Sequence, residues 1–89
     1  MIRMFVRHKV RDYTAWRKGY DSFDSARIKL GVRDQAVYRD VDDQNDVTVW
    51  HDFETVEAAK ALAGSEQLKG AMKGAGVVGA PTIWFTERA

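Results

Sequence analysis

The chain has 89 residues, enough for one domain whose core is near the size where burial becomes marginal. Its 45% apolar and 30% charged content is that of a globular protein, and a net charge of +1 gives no electrostatic case for nucleic acid or an anionic membrane. Cysteine is absent, which excludes disulfides, thiolate chemistry and cysteine-type zinc sites.

The N-terminus carries arginines inside its apolar run, unlike a signal-peptide core, and no stretch approaches the roughly 18 apolar residues of a membrane span. A cytoplasmic protein without membrane contact is expected. Residues 1–89 read as a single domain, with no internal repeat, linker or low-complexity segment.

Ile2 to Val10 alternates as a strand, with Met4, Val6 and His8 on one face and Arg3, Phe5 and Arg7 on the other. Asp12 is a good N-cap, and from there the period changes to that of a helix. Tyr13, Trp16, Tyr20, Phe23 and Arg27 fall on one helical stripe that Leu30 finishes and Gly31 stops. Gly19, inside this helix, costs roughly 1 kcal/mol relative to alanine. It either admits a close neighbour or is merely tolerated.

Val32 to Val41 reads as a second strand, turning through Asp42-Asp43-Gln44-Asn45 into a third, Asp46 to Phe53. A hairpin closed there sets Tyr38 opposite Thr48, Ala36 opposite Trp50, Val37 opposite Val49 and Gln35 opposite His51. Thr55 caps a short helix, Gly64-Ser65 breaks it, and Ser65 caps a second piece carrying Leu68, Met72 and Ala75. Gly74, Gly76 and Gly79 mark a loop, and Thr82 to Thr86 form the last strand.

The order β-α-β-β-α-β defines an α+β, ferredoxin-like domain with a four-stranded antiparallel sheet and helices on one face. The third strand is unusual because neither of its alternating sets is purely polar: Val47, Val49, His51 and Phe53 oppose Thr48 and Trp50 between two aspartates. A strand covered on one side alternates apolar with polar. This one asks for cover on both sides, and the helices suffice for one. The second face, with Phe5, Arg7, Tyr38, Trp50 and Trp84, is therefore expected to pack against a second copy, sheet on sheet. A competing reading has the aromatics Phe5 and Trp50 stack single-stranded RNA beside Arg3 and Arg7. The third strand lacks the basic-Gly-aromatic pattern of RNA-recognition modules, which disfavours nucleic acid as a partner.

Two apparent motifs fail on context. Gly74-x-Gly76-x-x-Gly79 spells a dinucleotide fingerprint, yet a helix precedes it and a strand follows, the reverse of what phosphate binding needs. The run from Asp40 to Gln44 resembles a calcium loop, but its twelfth position is His51 and its glycine position Asn45.

The remaining chemistry lies with the two histidines. His8 and His51 project from adjacent strands toward the helices, where Tyr13, Trp16, Tyr20, Gln35 and Met72 complete a candidate substrate cavity at one end of the sheet. Imidazole suits proton transfer near neutral pH, so both are candidate catalytic groups. The plainer role is a core histidine bonded to a backbone carbonyl or helix side chain. Two histidines without a clustered carboxylate make no convincing metal site, and none is expected.

Several pieces together carry a family likeness: His8-x-Val10-x-Asp12-Tyr13-x-x-Trp16, Tyr20-Asp21, Tyr38-Arg39-x-x-Asp42-Asp43-x-Asn45, Ser65-x-x-Leu68-x-x-Ala71-Met72 and Ala75-Gly76-Val77-x-Gly79. With them the chain resembles the small bacterial proteins of the dimeric α+β barrel superfamily, near the antibiotic-biosynthesis-monooxygenase-like and "cyclase" groups. The resemblance implies a homodimer of face-to-face sheets. It also implies one pocket per subunit for a small apolar or aromatic, polyketide-like molecule. Cofactor-independent monooxygenases, isomerases and cyclases all occur in that superfamily, and no tightly bound cofactor is expected. Its haem-degrading members place the histidine of an Asn-Trp-His set on a helix; both histidines here fall on strands, so that activity is not carried over. Two alternatives stand beside the enzyme: a non-catalytic ligand-binding or sensing homodimer, and the RNA reader above.

Overall fold

Alternation along the strands and capping between them set the architecture. The computed structural model describes residues 1–89, in the order β1 (Ile2–Val10), α1 (Tyr13–Ser22), α2 (Asp24–Lys29), β2 (Asp34–Arg39), β3 (Asp46–Phe53), α3 (Val56–Ala63), α4 (Glu66–Gly74) and β4 (Val77–Glu87). The strands form one antiparallel, four-stranded sheet in the order β2-β3-β1-β4, the ferredoxin-like α+β arrangement.

The hairpin closes in the register expected, Gln35 to His51, Ala36 to Trp50, Val37 to Val49 and Tyr38 to Thr48. A slip of one residue would turn Val47, Val49 and Phe53 away from the core, so burial itself enforces this pairing. Under α3, Met4, Val6, Phe53, Ala59 and Leu62 form the larger core; under α1, Val10, Trp16, Val47 and Val49 form a smaller one. Three helices start where their caps say. Backbone N–H groups of Ala15, Ala58 and Leu68 donate to the side chains of Asp12, Thr55 and Ser65 at 2.9, 3.1 and 3.1 Å. Each such cap contributes about 1 kcal/mol.

Three boundaries differ from the sequence reading. The first helix is two: Phe23 stands between α1 and α2, its N–H drawn in to the Tyr20 carbonyl at 3.2 Å, while Ser22 Oγ donates to the Gly19 carbonyl at 2.7 Å. A serine bonding back to the preceding turn competes with the helical ladder and ends it. The chain still stops at Gly31, whose φ of 102° only glycine adopts readily. The second strand is shorter than Val32 to Val41: Val32 drops into the core and Val41 is left solvent-exposed. The last strand is longer, starting at Val77 and running through Pro81. An edge strand tolerates the missing proline N–H, and the register slips there, Arg7 facing Thr82 and Lys9 facing Val78. No helix is long and apolar enough to cross a membrane.

Candidate functional site

Between the sheet and the helices lies a cavity of about 60 Å³, walled by Val6, His8, Val49 and His51 from the strands. Trp16, Gly19 and Tyr20 close it from α1, Phe23 and Arg27 from the turn and α2, Leu62 from α3, and Leu68, Ala71, Met72 and Ala75 from α4 and its end. It is overwhelmingly apolar, with its polar groups concentrated at one end. α1 and α4 approach through small residues: a Cβ on Gly19 would meet the Ala75 Cβ at 3.3 Å. Gly19 is therefore the close-contact glycine rather than a tolerated defect. Gly19, Phe23, Ala71 and Ala75 also line an outer groove between α1 and α4, so the two spaces share this seam, and the cavity is itself partly open to solvent.

At the polar end, the Tyr20 hydroxyl and His51 Nε2 are 3.0 Å apart. Trp16 stacks on the Tyr20 ring at 4.9 Å, and the Arg27 guanidinium lies 3.7 Å from the centre of the same ring. Burial, with the Arg27 charge adding to it, lowers the pKa of His51 to about 4, so the imidazole is neutral at pH 7. Burial pushes the Tyr20 phenol up to about 12 against the pull of Arg27 and Arg17, so the hydroxyl keeps its proton. The dyad thus holds one mobile proton between a neutral phenol and a neutral imidazole. His51 Nδ1, on the far side of the ring, is buried without a hydrogen-bond partner.

His8 belongs to the other end. It faces Val47 while His51 faces Met4, an offset of four residues along the strands, or roughly 13 Å. The two histidines share the cavity wall, with Val6 and Val49 between them, and do not form a pair at one end of the sheet. The His8 ring meets the edge of Trp16 at a centroid distance of 5.6 Å, and burial lowers its pKa. Its Nδ1 is also unpartnered: its own carbonyl, which favours the charged form, does not meet it with hydrogen-bond geometry.

Of the expected substrate-binding residues, Trp16, Tyr20 and Met72 line the cavity, while Tyr13 and Gln35 do not. Tyr13 lies outside it, under the Arg39 guanidinium at 4.2 Å, with its hydroxyl accepting from Arg17 at 3.4 Å. Gln35 acts one layer back. Its Oε1 accepts from Arg27 Nε at 2.9 Å, and its Nε2 donates to Asp24 at 3.0 Å. The residue that sequence reasoning left out of the site is Arg27, buried at 5% exposure on the cavity wall. The signal was present: an arginine ends a stripe of four aromatics. No group of three or more histidine, aspartate or glutamate side chains is placed to hold a metal ion.

The opposite face of the sheet is organised differently. Arg3 grips Asp52 with two bonds of 2.8 and 3.0 Å and lies 3.6 Å over the Trp50 ring; Arg7 grips Asp46 at 3.0 and 2.7 Å. These pairs hold both carboxyls below the usual carboxylate range, chiefly through the hydrogen bonds from the arginines. Phe5 and Trp84 stack at 5.1 Å, and Trp84 and Tyr38 remain exposed. Trp50 is roofed by Arg3 and both guanidiniums are engaged by carboxylates, so neither the Trp50 platform nor the arginine phosphate ligands of the RNA reading are free.

Fold and pocket together define a ferredoxin-like α+β domain of the kind found in antibiotic-biosynthesis-monooxygenase-like proteins. Solved structures match it along almost its whole length. A protein provisionally named antibiotic biosynthesis monooxygenase from Bordetella bronchiseptica superposes with a TM-score of 0.84 at 16% identity, over 99% of this chain and 96% of that one. A variant of SnoaB, a cofactor-independent oxygenase from Streptomyces nogalater, gives 0.77 at 9% identity, over 98% and 91%. A similarly named protein from Caulobacter crescentus gives 0.74 at 20% identity, over 99% and 89%. No protein-family model and no curated protein sequence matches the chain. At these identities the likeness is one of fold.

Proposed function

We propose that this protein is a homodimeric small-molecule enzyme that moves a proton on an apolar or aromatic substrate without a tightly bound cofactor. Oxygenation, isomerisation and cyclisation are the reaction types in view. The observation that supports the reading is the Tyr20–His51 pair at 3.0 Å inside an otherwise apolar cavity. A proton leaving the substrate passes to the Tyr20 oxygen as the phenol's own proton passes to His51 Nε2, and reversal of the relay returns it at another position. Trp16 and Met72 hold the ring of the substrate by contact. The kinship in fold with SnoaB, a cofactor-independent oxygenase, favours the oxygenase branch.

The dimer rests on the outer sheet face. Phe5, Trp84 and Tyr38 present a flat aromatic surface, and Arg3 and Arg7 are already paired, so a second copy covers it without stranding a charge.

The test is a panel of quinols and lactones followed by oxygen uptake and by absorbance. His51→Ala should lower turnover by about 10²–10⁴-fold while sedimentation still reports a dimer. His8→Ala, at the far end, should lower it far less. Turnover unaffected by His51→Ala removes the relay from the mechanism, and binding without conversion by the native protein makes it a ligand-binding protein.

A further inference from the structure

A buried cation on the cavity wall needs an explanation that the fold does not supply. Arg27 is 5% exposed, and its only carboxylate partner, Asp24, is 3.4 Å away and half exposed to water. Nε is spent on Gln35 and Nη2 on Asp24, whereas Nη1 donates to nothing in the chain. Nη1 is not among the polar atoms sealed off by their neighbours, and Arg27 is part of the cavity wall. A guanidinium withdrawn from water against so weak a counter-charge is costly while one of its donors goes unmet, and the Tyr20 ring beneath it offers that donor no lone pair.

Size adds a second constraint. At about 60 Å³ the cavity holds on the order of five waters, the scale of one small ring. The cavity is partly open, so a larger molecule would carry its further rings outside this space.

We infer that the ligand of this pocket seats one ring bearing an acidic oxygen, a phenolate or an enolate, and that Arg27 Nη1 binds that oxygen. The inference rests on the pocket reading above and adds the charge and size of what enters. It also makes chemical sense of the dyad. A weakly basic, buried imidazole takes a proton most readily from an acidic substrate, and Arg27 favours the anion left behind.

The probe is 4-nitrophenol, which has one ring, an acidic hydroxyl, and visible absorbance as the phenolate. It is titrated with the full chain below its own solution pKa, and binding is read independently from the NMR signals of Trp16 and His51. The bound probe should ionise, its pKa falling by about one unit, a tenfold preference for phenolate. Arg27→Met should abolish the shift and Arg27→Lys should keep part of it. A probe that binds with an unchanged or raised pKa, or a shift that survives Arg27→Met, overturns the role of Arg27 and leaves the pocket standing. If neither 4-nitrophenol nor neutral toluene disturbs Trp16 or His51, the pocket reading itself fails and this inference with it.

Discussion

The two faces of one sheet treat their polar groups in opposite ways. On the outer face, Arg3 and Arg7 are clamped by Asp52 and Asp46 within the same chain, and Arg3 also covers Trp50. On the inner face, His8 and His51 each keep a buried nitrogen without a partner, and Arg27 keeps an idle donor. Natural proteins seldom leave buried polar atoms unpaired, and where they do, a role outside folding is the first place to look. On the proposed reading the outer face meets a second copy and the inner face meets a ligand.

The contrast can be broken first with acid, which gives the largest effect. As pH falls below about 6.5 the unfolded chain protonates His51, whereas the folded chain resists until about 4. Stability is therefore whole above pH 6.5 and drops by about 3 kcal/mol on the way to pH 4, with His8 adding to the same trend. The outer pairs run in a lower window. Asp46 and Asp52 are depressed below 3.8, so their contribution is present above that pH and fades only as pH falls further. Urea unfolding followed from pH 8 to 3 should show the first loss in the native chain and much less of it in His51→Gln. A flat profile down to pH 4 contradicts the buried, neutral histidine.

A smaller effect is expected from the other side of the sheet. Phe5→Lys combined with Trp84→Lys should weaken the proposed dimer by about 100-fold in sedimentation while leaving 4-nitrophenol binding as it was. Loss of ligand binding together with the dimer would show that the two faces are not independent.

Much of this was legible in the chain. The pairing of Gln35 with His51 and Tyr38 with Thr48 follows from closing the turn at Asp42 to Asn45 and from alternation, which keeps Val47, Val49 and Phe53 on the buried face. The caps at Asp12, Thr55 and Ser65 are local chemistry and stand where expected. What was hidden depends on partners far away in sequence or on edge position. The break at Phe23 comes from Ser22 bonding back to Gly19, and β4 runs through Pro81 because nothing pairs with its outer edge. Arg27 stood on the stripe without an assigned role, and its burial becomes visible only once Gln35, eight residues on, is seen to receive it. The same long-range arrangement takes Gln35 out of the cavity and leaves Tyr13 outside, beneath Arg39.

The most direct measurement maps where a small phenol binds, by the shifts it causes in the assigned NMR spectrum of the native protein. The expected result is movement confined to His51, Tyr20, Arg27 and Met72, with Phe5, Trp50 and Trp84 still. Shifts concentrated on Phe5, Trp50 and Trp84, or scattered with no focus, would contradict the division between a face that binds and a face that pairs.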